Sequence, residues 1–182
     1  MNPEDLRADI PAVEETAYLN TGASGPSPRR VVEAATDVLE RHEYESHVTG
    51  SPYDFFYGEL AEIRERVATF VGADPSEIAL THSTGDGISR LAAAIDWEPG
   101  DTIVYSDLEH PAGVLPWERA ADVFDLNVSV LETREGRVDM DAVTEVVADA
   151  RVLCVSSLSW NYGTRIPIGD VVEIAHEAGT RV

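Results

Sequence analysis

An α/β fold, with a mainly parallel sheet and flanking helices, is what this sequence predicts, and three observations carry the prediction. From Glu77 onward, short β-rich apolar runs alternate with amphipathic segments, which is the pattern of repeated βαβ units. Each run is bounded by Gly, Asp or Asn, residues that turn the chain. A hydrophobic content of 43 % over 182 residues is enough for a core in one domain or a large part of one.

Taken in order, residues 1–72 read as an N-terminal loop and helical segment, and residues 73–182 as an α/β segment. Tyr18-Leu19-Asn20 leads into Thr21-Gly22-Ala23-Ser24-Gly25-Pro26, a glycine-rich loop that either starts a helix or brings backbone close to a ligand. Pro28 opens a helix that runs to about residue 45, residues 47–52 form a turn, and a second helix spans about 55–71 with Gly72 as its stop. Strands are predicted at residues 78–80, 102–105, 128–131 and 152–156, followed in turn by helices at 87–95, 113–124, 140–147 and 171–178. Gly179 then caps the last helix, and Thr180-Arg181-Val182 reads as the first step of a fifth strand. A parallel sheet that stops as a strand begins leaves an exposed edge, so a truncated chain is expected.

The chain has no lysine. All thirteen basic side chains are arginine, set against thirty-four Asp and Glu, for a formal net charge of −21. The acids are dispersed over polar faces, which makes a solvated surface that repels nucleic-acid phosphates and anionic lipids, so neither nucleic acid nor membrane is an expected partner. Arg replacing every Lys within such dense acid points to a salt-loving source. Because a guanidinium stays charged and non-nucleophilic, this chain cannot itself form a Schiff base with a carbonyl.

Further classes fall away. The single cysteine, Cys154, sits in the apolar run Val152-Leu153-Cys154-Val155 and reads as core packing, which excludes a disulfide framework. Met1 is followed by Pro3, Glu4, Asp5 and Asp9, with no secretory pattern and no bilayer-length apolar stretch, so a cytoplasmic protein is expected. The segment from His42 to His47 imitates a zinc-protease motif, but its histidines are five apart, about 140° around an α-helix, so no metal site is expected. Asn127-Val128-Ser129 is a formal glycosylation acceptor at the start of a strand and is discounted.

Three segments at strand ends can carry chemistry. Thr81-His82-Ser83-Thr84-Gly85-Asp86-Gly87 lies where a strand passes into a helix, so backbone N–H groups are exposed at a helix N-terminus that favours an anion such as phosphate. A plain N-cap by Thr84 or Asp86 is the alternative, and a dinucleotide fingerprint fits poorly because Arg90 stands at its third glycine. The second, Asp107-Leu108-Glu109-His110-Pro111, places an imidazole on the same sheet rim, where it can stack on an aromatic cofactor or move a proton. The third runs from Ser156 through Ser159-Trp160-Asn161-Tyr162-Gly163-Thr164 to Ile168.

Together these segments resemble the class V aminotransferase family, pyridoxal 5'-phosphate (PLP) enzymes of fold type I that include cysteine desulfurases, selenocysteine lyases, kynureninases and isopenicillin epimerase-like proteins. The resemblance covers nearly the whole chain. Tyr18-Leu19-Asn20-Thr21-Gly22 is similar to the family's opening strand and loop, residues 61–72 to the helix before its first core strand, and the rim loops follow in family order. It implies PLP as cofactor, with Thr84, Gly85 and Asp86 around its phosphate, His110 stacked on its ring, and Trp160 in the third cofactor loop. His110 is identified by Glu109-His110 followed by Pro116-Trp117. Asn20, Thr21 and Gly22 are implied at the substrate entrance.

Two positions depart from the family pattern. Many members have threonine at Gly85, and many desulfurase-like members have asparagine at Trp160; Asn161, one place later, should point elsewhere. The Trp version is closer to the epimerase-like branches. The resemblance also implies an amino-acid substrate and a homodimer. The family's pyridine-pairing aspartate and Schiff-base lysine belong beyond this stretch, so it implies an N-terminal part only, with no catalytic residue of its own and inactive alone. The alternative is a non-catalytic acidic α/β binding or interaction domain that retains the cofactor-site loops.

Overall fold

The computed structural model describes residues 2–182, in two compact units that divide after Leu80. In the first, α1 (Pro3–Ala8) is capped by Asn2, whose side-chain oxygen accepts from the Asp5 amide at 2.8 Å. Helix α2 (Arg29–Glu40) passes through a π-helical turn (Arg41–Glu45) into α3 (Ser46–Thr49). Helix α4 (Pro52–Val71) follows, capped by Ser51 and ended by Gly72.

The turn expected at residues 47–52 is reduced to Gly50 and Ser51. The hydroxyls of Ser46 and Thr49 donate back to the carbonyls of His42 and Glu45, at 2.6 and 2.9 Å, and keep the chain helical as far as Thr49. The π-helical turn also overturns the angular argument about His42 and His47. Its backbone closes i to i+5, so residues five apart lie over one another. The two imidazole centroids are 5.8 Å apart, edge to face. Among the described residues, no group of three or more His, Cys, Asp or Glu is placed to hold a metal ion.

The second unit is the α/β layer structure: α5 (Thr84–Ala94), β1 (Thr102–Ser106), α6 (Pro111–Phe124), β2 (Asn127–Leu131), α7 (Met140–Val147), β3 (Ala150–Cys154) and α8 (Ile168–Glu177). The strand order is β2-β1-β3 and both pairings are parallel. Period-two alternation sends successive β1 residues to opposite faces. Val104 joins Leu131, Val143, Val147, Leu153, Val171 and Ala175 on the face covered by α7 and α8. Ile103 and Tyr105 join Ala92, Trp117, Ala120 and Val152 on the face covered by α5 and α6.

Two strand predictions change. Residues 78–80 are not a strand: Ile78 is extended, but the segment has no ladder partner among the described residues, and apolar backbone without a partner is not a sheet. β3 ends at Cys154 rather than Ser156, because the Ser156 amide donates to the Glu109 carboxylate instead of to a neighbouring strand. The step at residues 180–182 is present as a parallel bridge of Arg181 to Val152 on the outer edge of β3. It is pinned by the buried Thr180 hydroxyl, which lies 2.8 Å from both the Val147 and Ala150 carbonyl oxygens.

Candidate functional site

Parallel strands direct their C-terminal ends to one rim, and in the second unit that rim gathers the N-termini of α5 and α6 and the loop after β3. The start of α5 is set by Ser83. Its hydroxyl accepts from the Asp86 amide at 3.2 Å and its carbonyl from the Gly87 amide at 2.9 Å. The Thr84 and Gly85 amides precede the first intrahelical bonds and have no hydrogen-bond partner among the described residues. They are the anion-seeking groups here.

Asp86 is already engaged. One carboxylate oxygen accepts from the His82 amide at 3.1 Å and the other from the Arg90 guanidinium at 2.8 Å. These contacts, the His82 N–H first and Arg90 second, hold its carboxyl below the usual carboxylate range. Asp86 therefore braces the loop, and both its amide and its carboxylate are committed within it. A Cβ on Gly85 would lie 3.9 Å from the Ala112 carbonyl oxygen, so the first turn of α5 sits beside the first turn of α6.

His110 caps α6. Its Nδ1 accepts from the Ala112 amide at 3.1 Å, which orients the ring and leaves Nε2 as its free nitrogen. The Trp160 indole meets this imidazole edge to face, with centroids 5.2 Å apart and planes at 82°. The loop that carries Trp160 is rigidly built. Leu158 and Arg165 form an antiparallel bridge, the Ser159 amide donates to the Thr164 carbonyl at 2.9 Å, and the Ile166 amide to the Ser157 carbonyl at 3.0 Å. The buried Ser159 hydroxyl donates to the Asn161 side-chain oxygen at 2.7 Å, which turns Asn161 into the loop, while Trp160 stays 60 % exposed at its tip.

Sequence reasoning missed Glu109. This half-buried carboxylate accepts from the Ser106 hydroxyl (2.9 Å), the Ser156 amide (2.7 Å) and the Ser156 hydroxyl (2.6 Å), and so ties the end of β1 to the end of β3. A Cβ on Gly113 would sit 3.4 Å from its Oε2, so glycine leaves room for the carboxylate. The only local signal was an acid beside a histidine; the partner lies 47 residues on.

Cys154 is not part of the rim chemistry. Burial pushes its thiol up, against a smaller opposing effect of Trp117, and its sulfur faces the Gly113 carbonyl at 3.9 Å. Asn20, Thr21 and Gly22 belong to the first unit, in a turn where the Ala23 and Ser24 amides donate to the Asn20 carbonyl at 3.1 and 3.3 Å. The Tyr18 hydroxyl donates to the Ser24 carbonyl at 2.7 Å across the same turn.

The rim can thus hold an anion at the α5 amides and a flat ring against His110. Comparison with known proteins identifies the family of the chain. A sequence profile described as Aminotransferase class-V matches residues 17–182. A probable cysteine desulfurase from Methanothermobacter thermautotrophicus is 31 % identical over 184 residues, covering 98 % of this chain and 45 % of that protein. The apo cysteine desulfurase of Thermococcus onnurineus superposes with a TM-score of 0.87 at 27 % identity, over 99 % of this chain and 46 % of that one. A C-DES protein with glycine covalently linked to its PLP cofactor shares the fold, at a TM-score of 0.84 and 21 % identity, over 94 % of this chain and 46 % of that one. The chain spans about half the length of the relatives it matches.

Proposed function

This chain belongs to the class V aminotransferase family, and from that premise we propose that it forms the phosphate- and ring-holding part of a PLP site in a desulfurase-like enzyme that acts on an amino acid. One observation carries the reading: the His110 imidazole and Trp160 indole meet edge to face beside a helix N-terminus with two unused amides. When bound, PLP supplies an electron sink for carbanionic charge at the α-carbon of its substrate.

The residues fit that group. The Thr84 and Gly85 amides would receive the phosphate, supported by the α5 dipole. His110 would present its flat face to the pyridine ring, with Trp160 limiting the tilt of the imidazole. Cys154 supplies no nucleophile here, because its half-buried thiol is pushed up by desolvation and faces the Gly113 carbonyl. The chain has no lysine of its own to hold the cofactor covalently, so its contribution is non-covalent binding and orientation. A homodimer in the cytoplasm belongs to the same proposal. No helix among the described residues is long and apolar enough to cross a membrane.

The test is titration with pyridoxine 5'-phosphate, which lacks the aldehyde and so cannot react with amines, followed by induced circular dichroism in the pyridine band. Saturable binding is expected, weakened about tenfold by His110→Ala, in the range of one lost stacking contact. Equal affinity for pyridoxine and its phosphate, or no induced signal, would sink the reading. A second reading is a non-catalytic acidic domain that keeps the cofactor loops, with which the dispersed surface acids are compatible. That reading requires a monomer that unfolds cooperatively at low and high salt alike.

A further inference from the structure

We propose that Glu109 is the positioning residue of this rim: by clamping the ends of β1 and β3, its carboxylate holds His110 and Trp160 in register with each other. The ligand-binding half of this inference rests on the PLP reading above; the ring-to-ring half does not.

The geometry places Glu109 at the junction of two short levers. On one side it directly precedes His110, whose ring is fixed by the Ala112 amide at 3.1 Å. On the other it grips Ser156 by both amide and hydroxyl, at 2.7 and 2.6 Å. Ser156 is the base of the loop whose tip is Trp160, and between base and tip that loop is stiffened by the Leu158–Arg165 bridge and the buried Ser159 hydroxyl. A stiff loop transmits movement at its base to its tip. The ladder itself does not hold that base, because β3 ends at Cys154. Beyond the last ladder pair, Tyr105 with Cys154, and apart from the distant Cys154 sulfur contact with Gly113, Glu109 is the side-chain polar tie among the described residues between the His110 side of the rim and the Trp160 side.

The carboxylate is needed for its shape rather than its charge. Glutamine can accept from Ser106 and the Ser156 amide through Oε1, and can donate from Nε2 to the Ser156 hydroxyl, which both gives and takes a hydrogen bond. Alanine removes every bond and leaves the buried Ser106 hydroxyl and the Ser156 amide to find other partners.

The experiment uses the full chain. In ligand-free protein, nuclear Overhauser contacts between the His110 and Trp160 ring protons report their register, and pyridoxine 5'-phosphate titration reports the site. Glu109→Ala is expected to remove the ring-to-ring contacts and to weaken the ligand about tenfold, within the range for a site whose parts are displaced by an ångström or less. Glu109→Gln is expected to retain both. A folded Glu109→Ala protein with intact contacts overturns the proposal, and so does a Glu109→Gln protein that loses as much as the alanine variant.

Should Glu109→Ala fail to fold, the double variant Ser106→Ala/Ser156→Ala decides. It keeps the carboxylate and the Ser156 backbone bond but removes two donors; weakened ring contacts support the proposal and unchanged ones overturn it. If wild-type protein shows the ring contacts, with the expected variant pattern, yet binds no pyridoxine 5'-phosphate, the PLP reading fails and the positioning role stands.

Discussion

Replacing Gly136 with alanine tests how tightly the Trp160 loop is seated. Arg134 and Arg137 exchange N–H to carbonyl bonds at 3.1 and 3.0 Å across a two-residue turn, in which Glu135 and Gly136 have φ of 51° and 75°. Both positive values suit the type I′ geometry that right-twisted hairpins prefer. Forcing a side chain into that left-handed conformation costs about 1 kcal/mol. The space is also taken: a Cβ at Gly136 would fall 2.7 Å from the Cβ of Tyr162, with the root of the ring closer still. Because the conflict is with the root of that side chain, a rotamer change cannot relieve it, and the loop carrying Trp160 must shift. Overpacking of this kind costs about 1–3 kcal/mol, which brings the expected total to about 2–4 kcal/mol. The chain's three tryptophans, Trp97, Trp117 and Trp160, all lie in the second unit, so urea unfolding followed by their fluorescence reads this unit. In a Tyr162→Gly background, Gly136→Ala should cost only the conformational part, about 1 kcal/mol. A cost below about 0.5 kcal/mol in the wild-type background, or the same cost in both, refutes the reasoning.

Two further outcomes follow from charge. With a formal net charge of −21, self-repulsion opposes the compact state, so the thermal midpoint should rise by several degrees as NaCl shortens the screening length from about 10 Å at 0.1 M to about 3 Å at 1 M. A midpoint independent of salt would count against this origin of instability. The Tyr105 hydroxyl donates to Glu118; burial, and then that carboxylate, push its phenol up to about 12 from an ordinary 10.0. The folded chain thus holds a proton that the unfolded chain releases, so the stabilisation is complete below the ordinary value and fades as pH rises toward about 12. Alkaline difference spectroscopy should show a late phenolate component that Tyr105→Phe removes, and a variant that leaves the late component intact would contradict the assignment.

What could be read from the sequence was what local periodicity and end signals control. The β1, β2 and β3 runs and the helices α5 to α8 appear in the expected order, because period two, period 3.6 and turn residues act over a few positions. Residues 78–80 carry the same apolar signal, but a strand also needs a partner, and nothing in three residues says whether one is there. The π-helical turn at Arg41–Glu45 has no compositional marker, yet it reverses the geometry of His42 and His47. On the rim, the α5 start was legible only to within a turn: a helix from residue 87 capped by Thr84 or Asp86 was expected, whereas Ser83 caps a helix that begins at Thr84, because several neighbouring hydroxyl and acidic side chains can each serve as a cap. Glu109 was not legible, since the meaning of a lone acid depends on Ser156, 47 residues away and brought near only by the β1–β3 pairing.

The lack of lysine sharpens the question of how so acidic a chain could hold a phosphate. Arg90, on α5 itself, is committed to Asp86 at 2.8 Å, and that pair is close to neutral as a unit. Asp86 therefore does little to cancel the positive end of α5, while the Thr84 and Gly85 amides act through contact hydrogen bonds that need no net charge. Long-range repulsion from the rest of the surface remains, and it is the component that salt removes, because screening suppresses interactions beyond a few ångströms and spares those at contact. If the proposed anion site is right, its affinity for phosphate on a chain of charge −21 should therefore rise with ionic strength, and a phosphate affinity that falls with added NaCl would count against it.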